Sequence, residues 1–170
     1  MSATAAMLQE LEQESATTRR VLERVPSDKL AWKPHDKSMS LGALAMHIAS
    51  APAFISDWAV QDETVFAGGA SPDPKSTADI LAAHDASAVK ARANIQAIGD
   101  GGLGKMWSMK TPDGKTAMTM PKAALLRSIA LNHVYHHRGQ LSVYLRMLDV
   151  PVPSIYGPSA DENPGGSKRS

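Results

Sequence analysis

Two histidines one helical turn apart open the chemistry of this sequence. His133 and His137 stand at positions i and i+4. At about 100° per residue, that spacing puts two side chains on one helix face, one turn apart. A helix presents two imidazoles to one metal ion in this way. Spacing alone also suits two polar residues on a wet face, so phase has to decide. The stripe through His133 and His137 carries Leu126, Ala130, Leu141, Tyr144 and Leu148, so both histidines point inward. An unpaired buried imidazole costs desolvation energy. Two adjacent imidazoles that both protonate repel each other. A shared metal ion removes both costs. His136 also pairs with His133 at i, i+3, but its stripe of Leu125, Ile129, Asn132, Gln140 and Val143 is mixed. It reads as a flanking residue, and as the candidate general base beside the site.

A third ligand is needed. His47 lies on the apolar line Leu44, His47, Ala51, Phe54, Trp58 of an earlier helix. A lone histidine on such a line is more often a core residue bonded to a carbonyl. Here an inward pair awaits a partner, and His47 is the favoured third ligand. His84, near the inner stripe of another helix, is the alternative, and His35 reads as surface or pocket rim. Three neutral histidines leave coordination positions open, so the site can lower the pKa of a bound water or polarise a substrate oxygen or sulfur. Such donors accept zinc, nickel, cobalt, copper or iron. The chain has no cysteine. That excludes disulfides, thiolate zinc sites, iron–sulfur clusters and a cysteine nucleophile. Any sulfur chemistry must use an external thiol.

The elements that position these residues follow from periodicity and from chain breakers. At 170 residues the chain fits one domain. A first amphipathic helix spans about residues 2–25 and stops at Pro26. A connector follows, in which Leu30 and Trp32 are apolar enough to dock. Ser40 caps a second helix that reaches about Val60 and contains Pro52, which kinks or interrupts it. After a Gly/Pro loop, Ser76 or Thr77 caps a third helix over about residues 78–98, and the four glycines between Gly99 and Gly104 stop it. Trp107 and Met109, then Met118 and Met120, alternate around Thr111-Pro112-Asp113-Gly114, which suggests a short hairpin. The last helix runs from about Pro121 to Leu148. The fold class is therefore all-α, a four-helix bundle with a hairpin-like insertion before the last helix. The domain covers residues 1–157, and residues 158–170 read as a polar, mobile Gly/Ser-rich tail. Trp32, Phe54 and Trp58 are candidate pocket walls.

Charge narrows the partners. Eighteen basic and seventeen acidic residues leave a formal charge of +1, which argues against a nucleic-acid footprint. No uninterrupted apolar run approaches the roughly 20 residues of a membrane span. The N-terminus has no basic region followed by a long apolar one, so the expected location is the cytoplasm.

Several segments resemble the DinB-like (YfiT-like) family of small metal-binding bundles. They are Leu30-Ala31-Trp32-Lys33-Pro34, Ser40-Leu41-Gly42-Ala43-Leu44-Ala45-Met46-His47-Ile48, His133-Val134-Tyr135-His136-His137-Arg138-Gly139-Gln140-Leu141 and Val152-Pro153-Ser154-Ile155-Tyr156-Gly157. The resemblance implies an up-down-down-up bundle with one metal ligand from the second helix and two from the fourth, here His47, His133 and His137. It implies a homodimer, and a divalent ion such as zinc or nickel. Some relatives are thiol-dependent transferases or isomerases that use low-molecular-weight thiols such as bacillithiol or mycothiol. The expected function is thus metal-dependent S-transfer from an external thiol to a small electrophile. The alternatives are metal-dependent hydrolysis and a non-catalytic metal-binding role in stress response.

Overall fold

Serines start three of the four long helices. In the computed structural model, which describes residues 1–66, 68 and 72–163, α1 spans Ala3–Leu22, α2 Leu41–Val60 and α3 Thr77–Leu103. Ser2, Ser40 and Ser76 accept from the backbone N–H groups of Ala5, Ala43 and Asp79, and so satisfy donors that a helix start leaves open. Within α3, Gly99 leaves helical geometry at φ 58°, ψ 175°, a conformation that only glycine adopts cheaply. The regular part of α3 therefore ends where the glycine cluster predicted.

The fourth helix, α4, is compound. Lys122–Ala124 leads into a π-helical stretch, Leu125–Leu131, and then into regular helix over Asn132–Met147. The wider π turn shifts the phase between Leu126 and His133. Leu125 and Leu131 are consequently buried along with the expected Leu126 and Ala130.

The connector docks as its apolar residues suggested. The N–H groups of Leu41 and Gly42 donate to the carbonyls of Trp32 and Leu30 at 2.8 and 2.9 Å. Gly42 permits this close approach: a Cβ there would sit 3.1 Å from both Leu30 Cβ and Leu30 O and would push the connector outward by a few tenths of an ångström. The first turn of α2 is thereby anchored just ahead of His47.

Helix α2 is the central element, packed against both α3 and α4. Leu41, Leu44, Ile48 and Ile55 are buried on it. It has the length and the mean hydropathy, 1.2, of a membrane span, yet half of that window is covered by the rest of the fold. Pro52 sits inside it without a backbone N–H. Next to the proline, the N–H of Ala53 donates 2.9 Å to Ser87 Oγ from α3. A neighbouring helix thus supplies a partner where the proline disturbs the ladder.

The pure all-α expectation is corrected by a small sheet. β1 (Glu63–Val65) pairs parallel to β2 (Met106–Lys110), and β2 pairs antiparallel to β3 (Thr116–Pro121). The expected hairpin forms, and its register sets Trp107 opposite Met120 and Met109 opposite Met118. Its turn closes through Gly114 N–H to Thr111 O at 2.9 Å. The strand β1 is only three residues long and has no periodicity to read. Tertiary contacts create it: the fully buried Trp107 stacks on Trp58 at 6.0 Å and donates Nε1–H to Thr64 Oγ1 at 3.1 Å. Lys122, buried at the start of α4, pairs with Asp62 at 2.8 Å.

Residues 158–163, assigned from sequence to the tail, are held against the body. Asp161 pairs with Arg146 and accepts from Val152 N–H, and Glu162 pairs with Arg20 and accepts from Ser154 N–H. The remainder of that tail, 164–170, lies outside the described residues.

Replacing Ser87 with alanine strands the Ala53 N–H beside Pro52. Ser87→Ala is expected to lower unfolding free energy by about 1–2 kcal/mol, read as a reduced urea midpoint at unchanged slope.

Candidate metal centre

The packing of α2 on α4 brings His47 to the inward pair. His133 Nε2 lies 3.1 Å from His47 Nε2 and 3.0 Å from His137 Nε2. The ring centroids are 4.8 Å apart for His47 and His133, 4.7 Å for His47 and His137, and 4.4 Å for His133 and His137. The three rings stand edge to face, at 84–88° to one another. Such separations suit nitrogens that share one ion at about 2.0–2.1 Å. Each imidazole is half-buried.

Protons cannot satisfy this arrangement. His137 Nδ1–H donates to Gln140 Oε1 at 2.7 Å, so its Nε2 offers a lone pair to the centre. If His133 Nε2 carries a proton, its Nδ1 is a buried acceptor with no partner; if Nδ1 carries the proton, that donor is stranded and lone pairs face each other at the centre. A cation that accepts a lone pair from each histidine removes the repulsion at the centre and fixes the proton of His133 on Nδ1. The three histidines therefore fit a metal ion.

Electrostatics agree. Burial, then the neighbouring charges of His137, His47 and His136, push the pKa of His133 down from 6.5 to about 4. Burial and His137 lower that of His47. Burial lowers that of His137 against the opposing hydrogen bond to Gln140. All three favour the neutral form, which is the form that ligates.

The other histidines go elsewhere. His84, the alternative ligand, is buried between α1 and α3, where it meets Ser15 and Asp85. His35 is exposed and accepts from the N–H of Lys37. His136 is exposed and lies edge-on to His137, with ring centroids 4.9 Å apart. The aromatic candidates turn to other partners. Trp32 meets Tyr144, while Trp58 is shared among Phe54, Phe66 and Trp107. Among the described residues, the cluster that could hold a metal comprises His47, His133 and His137, with no carboxylate joining it.

Two residues of the same helix escaped the sequence reading. Gln140 was placed on a mixed stripe, although its i+3 spacing from His137 is the available signal for the orienting bond. Arg138 points the opposite way. It is buried, pairs with Glu14 at 2.7 Å, donates to Thr18 Oγ1 at 3.0 Å and lies over the rings of Tyr135 and Tyr156. Arg138 thereby ties α4 to α1 directly behind the histidines.

Removing Arg138 takes the cationic partner from the Glu14 carboxylate and leaves it the Tyr156 hydroxyl. Arg138→Ala is expected to cost about 3–5 kcal/mol, measured by denaturant unfolding. The histidines carry a pH signature. Unfolded His133 binds a proton near 6.5 and the folded residue only near 4. The unfolded chain thus takes up more protons between those values, and stability falls as pH drops through that window. The thermal midpoint of chelator-treated protein should fall on acidification from 6.5 to 4, and less steeply in His133→Gln.

The comparisons with known proteins follow the same lines. An uncharacterized protein, YrdA of Bacillus subtilis (strain 168), is 28% identical over 161 residues, covering 91% of this chain and 89% of that protein. The crystal structure of a DinB-like protein from Bacillus cereus ATCC 10987 superposes with a TM-score of 0.69 at 24% identity, covering 88% of this chain and 95% of that one. The DinB-like protein YjoA from Bacillus subtilis gives 0.67 at 18% identity, covering 89% and 99%. These two structures carry the fold. The profile of the DinB family matches residues 1–166, and with the mostly helical four-helix architecture and the convergent histidines already described, the chain belongs to the DinB family.

Proposed function

We propose that this protein is a metal-dependent transferase that joins an external low-molecular-weight thiol to a small electrophile. The observation that carries the reading is a set of three convergent imidazole nitrogens, held neutral by burial, with no fourth protein ligand in the cluster among the described residues. Structural zinc sites close with four protein ligands, whereas catalytic sites keep a position free. A bound divalent ion, zinc or nickel in this reading, supplies the positive charge that holds a thiol as its thiolate.

The chain's own residues do the rest. His47, His133 and His137 supply neutral donors from two packed helices. Gln140 holds His137 in the tautomer whose Nε2 faces inward. His136, exposed with its ring centroid 4.9 Å from that of His137, is the base in this reading, taking the proton that the thiol gives up. The absence of cysteine keeps the protein from forming a mixed disulfide with its own thiol substrate. A thiol-rich cytoplasm suits such a reaction, and a homodimer, as the family resemblance implies, completes the proposal.

Two measurements test it. In elemental analysis of purified variants, His47→Ala, His133→Ala and His137→Ala should each lose most bound metal, whereas His136→Ala and His84→Ala should keep it. Full metal retention in His47→Ala would remove that residue from the ligand set. Turnover of a panel of electrophiles with several low-molecular-weight thiols should depend on metal, and should fall about 100-fold or more in His136→Ala, the range of general-base loss. Metal-bound protein with no turnover across the panel would overturn the enzymatic reading in favour of a binding role.

A further inference from the structure

His84 belongs to a second cluster that the metal centre does not use. It lies on α3, 4% exposed, at the base of a cavity of about 250 Å³ between α1 and α3. His84 Nδ1 is 3.3 Å from Asp85 Oδ1, and His84 Nε2 is 3.2 Å from Ser15 Oγ. Since a carboxylate only accepts, Nδ1 carries the ring proton and donates to Asp85. Nε2 is then the lone pair, and the Ser15 hydroxyl donates to it. A hydroxyl, a base and an acidic orienter are thus linked in sequence, at distances within the looser range of a resting site.

The surroundings support chemistry. Burial lowers the pKa of His84 against the opposing effect of Asp85, which keeps the ring a neutral base near pH 7. Asp85 is in turn fixed by Arg19 Nε at 3.0 Å, and its pKa is lowered mainly by that bond, so it remains the anionic end of the chain. The cavity opens onto Ser15, His84 and Asp85 together. Leu11, Ala16, Ala88 and Val89 give it an apolar lining, while Arg92 brings to the same lining a guanidinium that pairs through Nη1 with Glu12, also in the lining, at 3.3 Å. That combination suits a short acyl group with a charge-stabilising donor beside it.

We propose that Ser15, His84 and Asp85 form a second, metal-independent nucleophilic site that accepts the acyl group of small esters. Ser15 Oγ bonds to the ester carbonyl carbon as its proton passes to His84 Nε2. The C–O bond to the leaving alcohol then breaks, and the alcohol departs with the proton from His84. Water attacks the resulting acyl-serine, its proton passes through His84 to Ser15 Oγ, and the carboxylic acid is released. The sum is ester plus water to acid plus alcohol, with no redox change. Asp85 acts through His84 and is a positioning residue.

The test uses chelator-treated full-length protein, so that its outcome is independent of the three-histidine centre. The protein is incubated with a fluorophosphonate or with p-nitrophenyl acetate, and modified peptides are mapped by mass spectrometry. Modification concentrated at Ser15 is expected, absent in Ser15→Ala and slowed at least 10-fold in His84→Gln. Asp85→Asn, at an exposed carboxylate that leaves the core intact, should slow labelling and lower the pH at which it reaches half its maximum, because the carboxylate holds the His84 pKa up. Ser15 labelling no faster than that of other serines would overturn the proposal and leave His84 as a core histidine. So would wild-type labelling rates in both His84→Gln and Asp85→Asn.

Discussion

Three imidazole nitrogens face one another at separations of 3.0 and 3.1 Å around His133, and every placement of protons leaves either lone pairs opposed there or the buried His133 Nδ1 as an acceptor without a partner. A cation is what the local chemistry asks for, and the architecture holds the conflict in place without it. α2 delivers His47 from one side and α4 delivers His133 and His137 from the other. The apolar packing between those helices, with Leu44 and Ile48 on α2 and Leu141 and Leu145 on α4 fully buried, fixes the approach. Hydrophobic burial is non-directional; the imidazoles add direction to a contact that the apolar side chains stabilise.

Several devices keep that contact in register. Gly42 lets the connector sit directly on the first turn of α2, so the helix begins at a defined place ahead of His47. Ser87 answers the backbone disturbance at Pro52. The π-helical stretch Leu125–Leu131 runs into the turn that bears His133, and such turns tend to mark functional positions. Arg138 fastens the back of α4 to Glu14 and Thr18 on α1 while its neighbour His137 faces α2. The run from His133 to Gln140 therefore serves two faces at once: ligands and their orienting amide on one, a buried guanidinium on the other.

The same residue type meets different fates through its surroundings. His133 is surrounded by other imidazoles and suited to a metal ion, whereas His84 is buried between a hydroxyl and a carboxylate. Both are held neutral, the first by burial and like charges, the second by burial against a nearby carboxylate. The metal-dependent and nucleophilic readings draw on separate chemical partners, and they occupy different helix interfaces: α2 with α4, and α1 with α3.

The sequence by itself determined the local features. Capping serines, proline and glycine stops, the hairpin turn at Thr111–Gly114 and the inward phase of His133 and His137 all follow from interactions within a few residues. Periodicity favours His47 over His84 as the third histidine but cannot measure its distance from the pair, because both lie on apolar stripes of different helices; packing brings His47 to it. Only the tertiary structure created β1, whose three residues acquire strand geometry from pairing with β2 and from the Trp58–Trp107 stack. Only it showed that Arg138 is buried, that Gln140 reaches His137, and that Ser15 meets His84 across 69 positions of chain. Periodicity tells which way a side chain faces on its own element. What it faces depends on how the elements pack, and that is set by burial summed over the whole core.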